Sequence, residues 1–217
     1  MPDYVVQRLN MVDSQVLANG VTDERLIEAF RNVPRERFVP SARRPVAYAD
    51  AEIEIVRGRS LLAPRTFAKL LQFAEIQPSD SVLDVGCATG YSTAVLARIS
   101  RRVIGLEYDA DLVRIAVEAL HECGARNASV VQGPLPDGYR GGAPFDVIIV
   151  EGGFQRSPEH LIAQLAEGGR LVGILQDEEH GRAILYLKEP GRVGRRIGFD
   201  ASAPVLSGFR QPAGFVF

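Results

Sequence analysis

A short buried strand that runs directly into a glycine-containing loop and a helix is the feature that most constrains the fold. The stretch SVLDVGCATGYSTAVLARIS, residues 81–100, begins with a near-continuous apolar run and ends with Tyr91, Val95, Leu96 and Ile99 at helical spacing. Such a run is typical of a strand buried on both faces, as in a parallel sheet. Because parallel strands are usually joined by helices, this stretch predicts an α/β fold.

The same alternation of apolar runs and helical patterns continues along the chain. Asp109 is a predicted N-cap for the helix after the second strand, and SPEHLIAQLAEGG, residues 157–169, is predicted to be a helix with Ser157 as N-cap and Pro158 first. Repeated strand–helix–strand units of this length predict a mostly parallel central sheet with helices on both faces. The further strands are RVIGLE (102–107), ASVVQG (128–133), FDVIIVEGG (145–153) and RLVGILQ (170–176).

The pattern changes at both ends of the chain. Strand-like segments follow one another after residue 180, which predicts an antiparallel edge made of RAILYLKE, VGRRIGFD and AGFVF. Two amphipathic helices, residues 22–38 with Thr22 as cap and residues 65–76, flank a proline-interrupted segment. We therefore expect one domain over 1–217, with an N-terminal helical and loop layer (1–79), a cofactor-binding core (80–176) and C-terminal strands (177–217).

Composition excludes several classes of protein. The 217 residues carry a formal net charge of −2, and the arginine clusters are short and scattered, so neither nucleic acid nor a membrane surface is an expected partner. Two cysteines cannot build a disulfide framework. The start lacks an apolar signal region, and no apolar run approaches the ~20 residues that span a bilayer. We expect a cytoplasmic, soluble protein.

The loop after the first buried strand has the pattern Asp84-x-Gly86-x-x-x-Gly90. Ligands of open α/β sheets bind beyond the carboxyl ends of the strands, and glycines allow a close approach to the backbone. Ala88 and Tyr91 stand where a dinucleotide-binding loop would need glycine. A preceding acid better suits a ligand whose amino-acid end carries an ammonium and a carboxylate, and S-adenosylmethionine is such a ligand.

Two further acids end neighbouring strands. Glu107 closes the second strand, and a carboxylate there can accept both hydroxyls of a ribose. Together with the glycine loop it predicts an S-adenosylmethionine site, against the alternative of a structural turn plus a surface glutamate. Glu151 ends the fourth strand and faces the same crevice. It could hold the methionine ammonium, lie near the acceptor, or be an exposed strand-end acid.

Motifs in a specific order carry a resemblance over residues 20–176. NVPRERFVP, RGRSLLAP, VLDVGCATGYSTAVLARI, GLEYD and FDVIIVEGG resemble those of protein-L-isoaspartate (D-aspartate) O-methyltransferases. The resemblance implies a Rossmann-like class I methyltransferase fold, S-adenosylmethionine as methyl donor, and methylation of an isoaspartyl carboxylate in damaged protein. The cofactor-binding residues it implies, with those predicted above, are Asp84, Gly86, Cys87, Ala88, Gly90, Tyr91, Glu107, Tyr108, Gly133, Pro134, Leu135 and Glu151.

The chain departs from the family's pattern in two loops. Where the family typically reads Gly-Gln-Thr-Ile-Ser-x-Pro, this chain has Arg59 for glutamine, Ser60 for threonine and Leu62 for serine. We therefore expect Ser60 to be the catalytic-site hydroxyl near the acceptor, with a leucine of the loop sealing the pocket. After the third strand, Pro134 and Leu135 replace Asp-Gly, so backbone and apolar contacts would hold the adenine.

Two alternatives keep the same donor site. The protein could methylate a different carboxylate or hydroxyl, or bind S-adenosylmethionine as a regulatory protein without turnover. Other chemistry has little support, because His121, His160 and His180 lack the spacing of a zinc site and no G-x-S-x-G hydrolase motif occurs.

Overall fold

The structure is a computed structural model that describes residues 3–177 and 180–211. Its strands form a two-stranded hairpin and a separate seven-stranded sheet. The strands are β1 Ile53–Val56, β2 Arg59–Leu61, β3 Ser81–Val85, β4 Arg102–Glu107, β5 Ala128–Gln132, β6 Phe145–Phe154, β7 Leu165–Gln176, β8 Gly181–Glu189 and β9 Arg192–Asp200.

The seven-stranded sheet has the order β5-β4-β3-β6-β7-β8-β9. Strands β3 to β7 are parallel to one another, whereas β8 pairs antiparallel with both β7 and β9. The predicted mostly parallel sheet with an antiparallel C-terminal edge is therefore confirmed. The third predicted edge segment, AGFVF, lies outside the described residues. Because strand order reverses between β4 and β6 around β3, the carboxyl end of β3 is where an open sheet of this type binds ligands.

Helices cover both faces of this sheet. The α-helices are α1 Tyr4–Met11, α2 Glu24–Asn32, α3 Pro64–Ala74, α4 Tyr91–Ala97, α5 Ala110–Glu122 and α6 Glu159–Ile162. One buried apolar cluster contains side chains of α2, α3, α4 and α5, and a second contains those of α6 and the 3₁₀ turn Leu135–Asp137. In the described ranges, no helix has both the length and the apolar composition that crossing a membrane requires.

Helices α1, α2 and α5 each begin after a capping aspartate, which requires one correction to the predictions. Asp109 caps α5 as predicted, since its side chain accepts from the backbone N–H of Asp111 and Leu112. The cap of α2 is Asp23 rather than Thr22, because the Asp23 carboxylate accepts from the N–H of Arg25. The carboxylate is also the acceptor of the Arg25 guanidinium, which fixes the turn at this position.

The predicted helix over residues 157–169 is wrong in length. Helix α6 ends at Ile162, and β7 already begins at Leu165, which pairs with Phe145. Gly168 has a φ of +76°, so the chain bends there within β7 and its register shifts before Arg170. Parallel pairing with β6 thus overrides a pattern that also suits a helix, as is common for short apolar runs.

The proline-interrupted segment between α2 and α3 is more ordered than the sequence predicts. It contains the 3₁₀ segments Arg35–Phe38 and Ser41–Val46, followed by the antiparallel hairpin of β1 and β2. Aromatic contacts join this layer to the helices on the sheet, since the Phe38 and Tyr91 rings lie 5.6 Å apart between centroids. The hairpin leads directly into α3, which places residues 57–64 beside the carboxyl end of β3.

Candidate functional site

The loop from Gly86 to Gly90 turns back on itself through three residues of positive φ. These are Gly86 (+82°), Ala88 (+49°) and Gly90 (+90°). A Cβ on Gly90 would lie 3.2 Å from the Cβ of Ala116, so this glycine allows α4 to pack against α5. Glycine at position 90 is therefore explained by helix packing. The backbone of Gly86 and Ala88 faces the strand ends.

Asp84 is a buried acid at the carboxyl end of β3. Its Oδ2 accepts hydrogen bonds from Ser92 Oγ at 2.7 Å and Thr93 Oγ1 at 2.6 Å. Its Oδ1 has no hydrogen-bond partner in the described part of the chain. Burial raises the pKa of Asp84 to about 6, against the opposing effect of the two hydroxyl donors. The side chain is thus held in place with one oxygen available for a ligand.

Glu107 is completely buried at the carboxyl end of β4 and is surrounded by donors. Its Oε2 accepts from the Ala88 N–H at 2.9 Å and from Arg59 Nη2 at 2.8 Å, and Arg59 Nε lies 3.3 Å away. Its Oε1 accepts from the Tyr108 N–H at 2.9 Å. Glu107, which the sequence predicts as the ribose ligand, thus lies at the carboxyl end of β4 in contact with an arginine side chain.

Arg59 and Leu206 fill the space next to Gly86. Arg59 Nη2 donates to the Gly86 carbonyl at 2.6 Å. A Cβ on Gly86 would lie 3.0 Å from Arg59 Nη2 and 3.1 Å from Leu206 Cδ1. Leu206 is fixed by the C-terminal segment, since its N–H donates to the Gly153 carbonyl and the Gly153 N–H donates to Pro204. Sequence reasoning assigned no role to Arg59 or Leu206.

Glu151 is the third acid of the site and lies near the carboxyl end of β6, which continues to Phe154. It is 6% exposed, and its Oε1 has no partner within the ranges that the structure describes. Burial, and then the negative charge of Asp84, raises the pKa of Glu151 well above its ordinary value, while Arg59 and Arg35 oppose the rise. Three carboxyl groups thus meet at the ends of β3, β4 and β6.

Tyr91 lies beneath the N-terminal layer rather than in the open crevice. Its ring packs against Phe38 and Phe67, and the Arg35 guanidinium lies 4.7 Å from its centroid. Arg35 is itself buried and donates to the carbonyls of Ala47 and Leu62. The cation–π contact makes Tyr91 a link between α4 and the layer, so its ring has a packing role in this structure.

The other predicted cofactor residues lie at unequal depths. Tyr108 is 40% exposed, whereas the Cys87 thiol is buried beneath the backbone of Gly105, where burial raises its pKa. Gly133 donates its N–H to the Glu107 carbonyl and so stands next to the predicted ribose ligand, followed by Pro134. Leu135 is buried in the apolar cluster on the face of α6.

Ser60, the predicted catalytic-site hydroxyl, lies on the opposite face of β2 from Arg59. In β2 the buried residues are Arg59 and Leu61, and the half-buried Ser60 between them pairs with Glu54. Because side chains alternate along a strand, Ser60 faces away from the Glu107 carboxylate that Arg59 contacts. The side chain of RGRSLLAP that enters the predicted donor site is therefore an arginine, and alternation along β2 is the signal that could have revealed it.

The fold and the three strand-end acids define a Rossmann-like methyltransferase. The family model described as protein-L-isoaspartate(D-aspartate) O-methyltransferase matches residues 7–196. A protein-L-isoaspartate O-methyltransferase of Koribacter versatilis (strain Ellin345) is 37% identical over 192 residues, 88% of this chain and 86% of that protein. One of Rhodopseudomonas palustris (strain ATCC BAA-98 / CGA009) is 34% identical, covering 93% and 95%. The chain belongs to this family, whose members use S-adenosylmethionine.

Solved structures agree on the fold. A protein-L-isoaspartate O-methyltransferase superimposes with a TM-score of 0.80 at 24% identity, over 93% of this chain and 66% of that one. A Plasmodium falciparum protein described as a putative protein-L-isoaspartate O-methyltransferase, in complex with S-adenosyl-L-homocysteine, gives 0.79 at 21% identity, covering 92% and 98%. At these identities the likeness concerns the architecture alone.

The residues present suit the methyl donor. Oδ1 of Asp84 and Oε1 of Glu151 are buried acceptors that make no hydrogen bond with the residues described. An ammonium group needs such free acceptors for its N–H donors. Glu107 supplies a carboxylate for a diol, and Gly86 has no side chain of its own at the strand end. The set fits the donor once Arg59 and Leu206 withdraw from the space beside Gly86.

Proposed function

We propose that this protein is an S-adenosylmethionine-dependent O-methyltransferase that methylates the α-carboxylate of isoaspartyl residues in damaged proteins. The observation that carries this is the meeting of three buried carboxyl groups, Asp84, Glu107 and Glu151, beside a glycine loop in a chain of this family. Burying three acids is costly unless a ligand or an ion pair compensates them. Membership of the family supports the isoaspartyl residue as acceptor.

Each residue has a distinct task in this proposal. The donor supplies a methyl group on a sulfonium, which is transferred to the attacking oxygen. Glu107 would hold the ribose hydroxyls, and Asp84 and Glu151 would hold the ammonium at their unpaired oxygens. A substrate carboxylate is already ionised near pH 7 and needs no strong base. The protein therefore contributes orientation and exclusion of water.

The acceptor would approach along the hairpin of β1 and β2. This hairpin reaches Glu107 through Arg59 on one face and carries the half-buried Ser60 on the other. Leu62 is buried and its carbonyl accepts from Arg35, so it belongs to the wall of the loop. We infer that Ser60 positions the acceptor, and Ser60→Ala should then lower kcat for peptide methylation without changing donor affinity.

A further part of the proposal is that the chain works as one domain in the cytoplasm, with residues 1–79 closing over the core. The contacts of Phe38 and Phe67 with Tyr91, and of Arg35 with the same ring, support a layer that shares its apolar core with α4. Two free cysteines, one of them buried, are consistent with a reducing compartment.

Transfer of a labelled methyl group to a matched pair of peptides tests the function. The isoaspartyl peptide should be methylated and its aspartyl twin should not. Asp84→Asn should weaken binding of S-adenosylhomocysteine, measured by calorimetry, whereas Asp111→Asn at an exposed position should not. Binding without transfer to the isoaspartyl peptide would reject this acceptor and leave another acceptor or a regulatory role. Absence of binding would reject the donor assignment.

A further inference from the structure

The contact between Arg59 and Glu107 is a buried ion pair at the place that a ribose would occupy. The two side chains are 1% and 0% exposed, and Arg59 Nη2 lies 2.8 Å from Glu107 Oε2. The same Nη2 lies 2.6 Å from the Gly86 carbonyl. One guanidinium thus bridges the two elements, the glycine loop and the acid of β4, between which the donor is proposed to bind.

The acceptor capacity of Glu107 is already used. A carboxylate offers about four lone-pair sites. The N–H groups of Ala88 and Tyr108 take one site on each oxygen, and Arg59 takes Oε2 a second time. The second site on Oε1 faces the Asp109 N–H at 3.4 Å. A ribose hydroxyl can therefore bind Oε2 of Glu107 only after Arg59 leaves it.

The side chains of Arg59 and Leu206 also fill the space beside Gly86 in which the donor is proposed to bind. Arg59 and Leu206 both lie close to the position of a Cβ on Gly86, at 3.0 and 3.1 Å. Leu206 also lies against Gly152 at the end of β6, where a Cβ would be 2.6 Å from its Cδ2. Two side chains that are far apart in the sequence thus lie beside the same glycine of the loop.

Arg59 sits on an element that can move. Strand β2 has three residues, pairs only with β1 and is outside the seven-stranded sheet. The turn of the hairpin is exposed at Arg57 and Gly58, and Gly58 has a φ of +80°. A two-stranded hairpin has little stability of its own, so its position depends on contacts such as the Arg59–Glu107 pair. Breaking that pair would release the Arg59 side chain, while Ile53, Ile55 and Leu61 keep the hairpin packed on the core.

From these contacts we propose that Arg59 is an internal competitor of the methyl donor and sets its affinity. Its guanidinium occupies Glu107 and the Gly86 carbonyl, and donor binding exchanges this cation for the ribose hydroxyls and displaces the side chains of Arg59 and Leu206. The inference rests on the proposed function, because it assigns the competing ligand to the same site. It gives this chain a weaker donor affinity than its acids alone would provide.

Calorimetric titration of S-adenosylhomocysteine into Arg59→Gln and Arg59→Met tests the proposal. Both replacements keep part of the aliphatic stem but cannot form the ion pair. The Kd for S-adenosylhomocysteine should therefore fall on the order of 10- to 100-fold, which corresponds to the free energy of one hydrogen bond to a charged group. Arg57→Gln, on the exposed turn of the same hairpin, is the matched control and should bind like the wild type. Thermal melts of each variant establish that it is folded.

A second readout uses the unmodified protein. The Nε–H resonance of Arg59, assigned by its absence in Arg59→Met, should shift when S-adenosylhomocysteine is added, because Arg59 leaves Glu107. An unchanged resonance despite binding, or an unchanged or raised Kd in both variants, would overturn the competition while leaving the proposed function intact. Failure of all the folded proteins to bind the ligand would overturn both.

Discussion

Replacing Glu107 by glutamine should destabilise the protein by about 3–5 kcal/mol, the range found when one partner of a buried ion pair is removed. The structure gives the reason for expecting a value in this range. Arg59 is 1% exposed, and its Nη1 has no partner in the described ranges. Once Glu107 is neutral, the guanidinium keeps the Gly86 carbonyl but loses the adjacent carboxylate charge.

Thermal unfolding followed by circular dichroism measures this effect. For a chain of this length 1 kcal/mol corresponds to about 2–4 °C, so Glu107→Gln should lower Tm by about 6–20 °C. Glu118→Gln is the matched control, because Glu118 also pairs with an arginine, at 3.3 Å, but both side chains are more than 60% exposed. Its Tm should change little, as is usual for surface ion pairs.

The double variant Glu107→Gln/Arg59→Met separates a stranded charge from a general loss of packing. It removes the uncompensated guanidinium and should recover part of the lost Tm. Arg59→Met alone should cost less than Glu107→Gln, because Glu107 keeps the N–H donors of Ala88 and Tyr108. If Glu107→Gln lowered Tm no more than Glu118→Gln, or if the double variant were the least stable, the reasoning from a buried charge would fail.

Two further predictions concern single groups of the site. Burial raises the pKa of Asp84 to about 6, and the ionised form is the one that binds an ammonium. S-adenosylhomocysteine should therefore bind about tenfold more tightly at pH 7 than at pH 5. Calorimetry should find this pH dependence reduced in Asp84→Asn, and an equal dependence in that variant would contradict the assignment. Tyr91→Phe should keep Tm within about 2–4 °C of the wild-type value, because the Tyr91 hydroxyl makes no hydrogen bond in the described part of the chain and the ring contact with Arg35 remains. Tyr91→Leu should lower Tm more than Tyr91→Phe does, and the reverse order would refute this account.

Much of the sheet could be predicted because its signals are local. Strands such as β3 and β6 are buried on both faces, so their sequences are near-continuous apolar runs. The acids Asp84, Glu107 and Glu151 follow from the same reasoning, since each lies at or near the carboxyl end of a parallel strand. Parallel strands bring their carboxyl ends together, so the grouping of these acids needed no knowledge of side-chain contacts.

The contents of the site could not be predicted in the same way. Arg59 is a charged residue on a three-residue strand, and its partner Glu107 lies 48 positions away. Leu206 reaches Gly86 from a C-terminal segment with almost no regular structure. In both cases burial depends on a distant contact, and neither periodicity nor propensity describes such contacts.

The Arg59–Glu107 pair links the stability of the protein to the affinity of its donor site. Whatever the pair contributes to folding is lost when the donor takes its place, so that contribution is subtracted from the free energy of binding. A ligand raises Tm in proportion to the logarithm of its concentration over Kd. At one concentration of S-adenosylhomocysteine, the rise in Tm should therefore be larger for Arg59→Met than for the wild type, although the variant begins from a lower Tm. An equal rise in both proteins would mean that Arg59 stabilises the fold without opposing the donor.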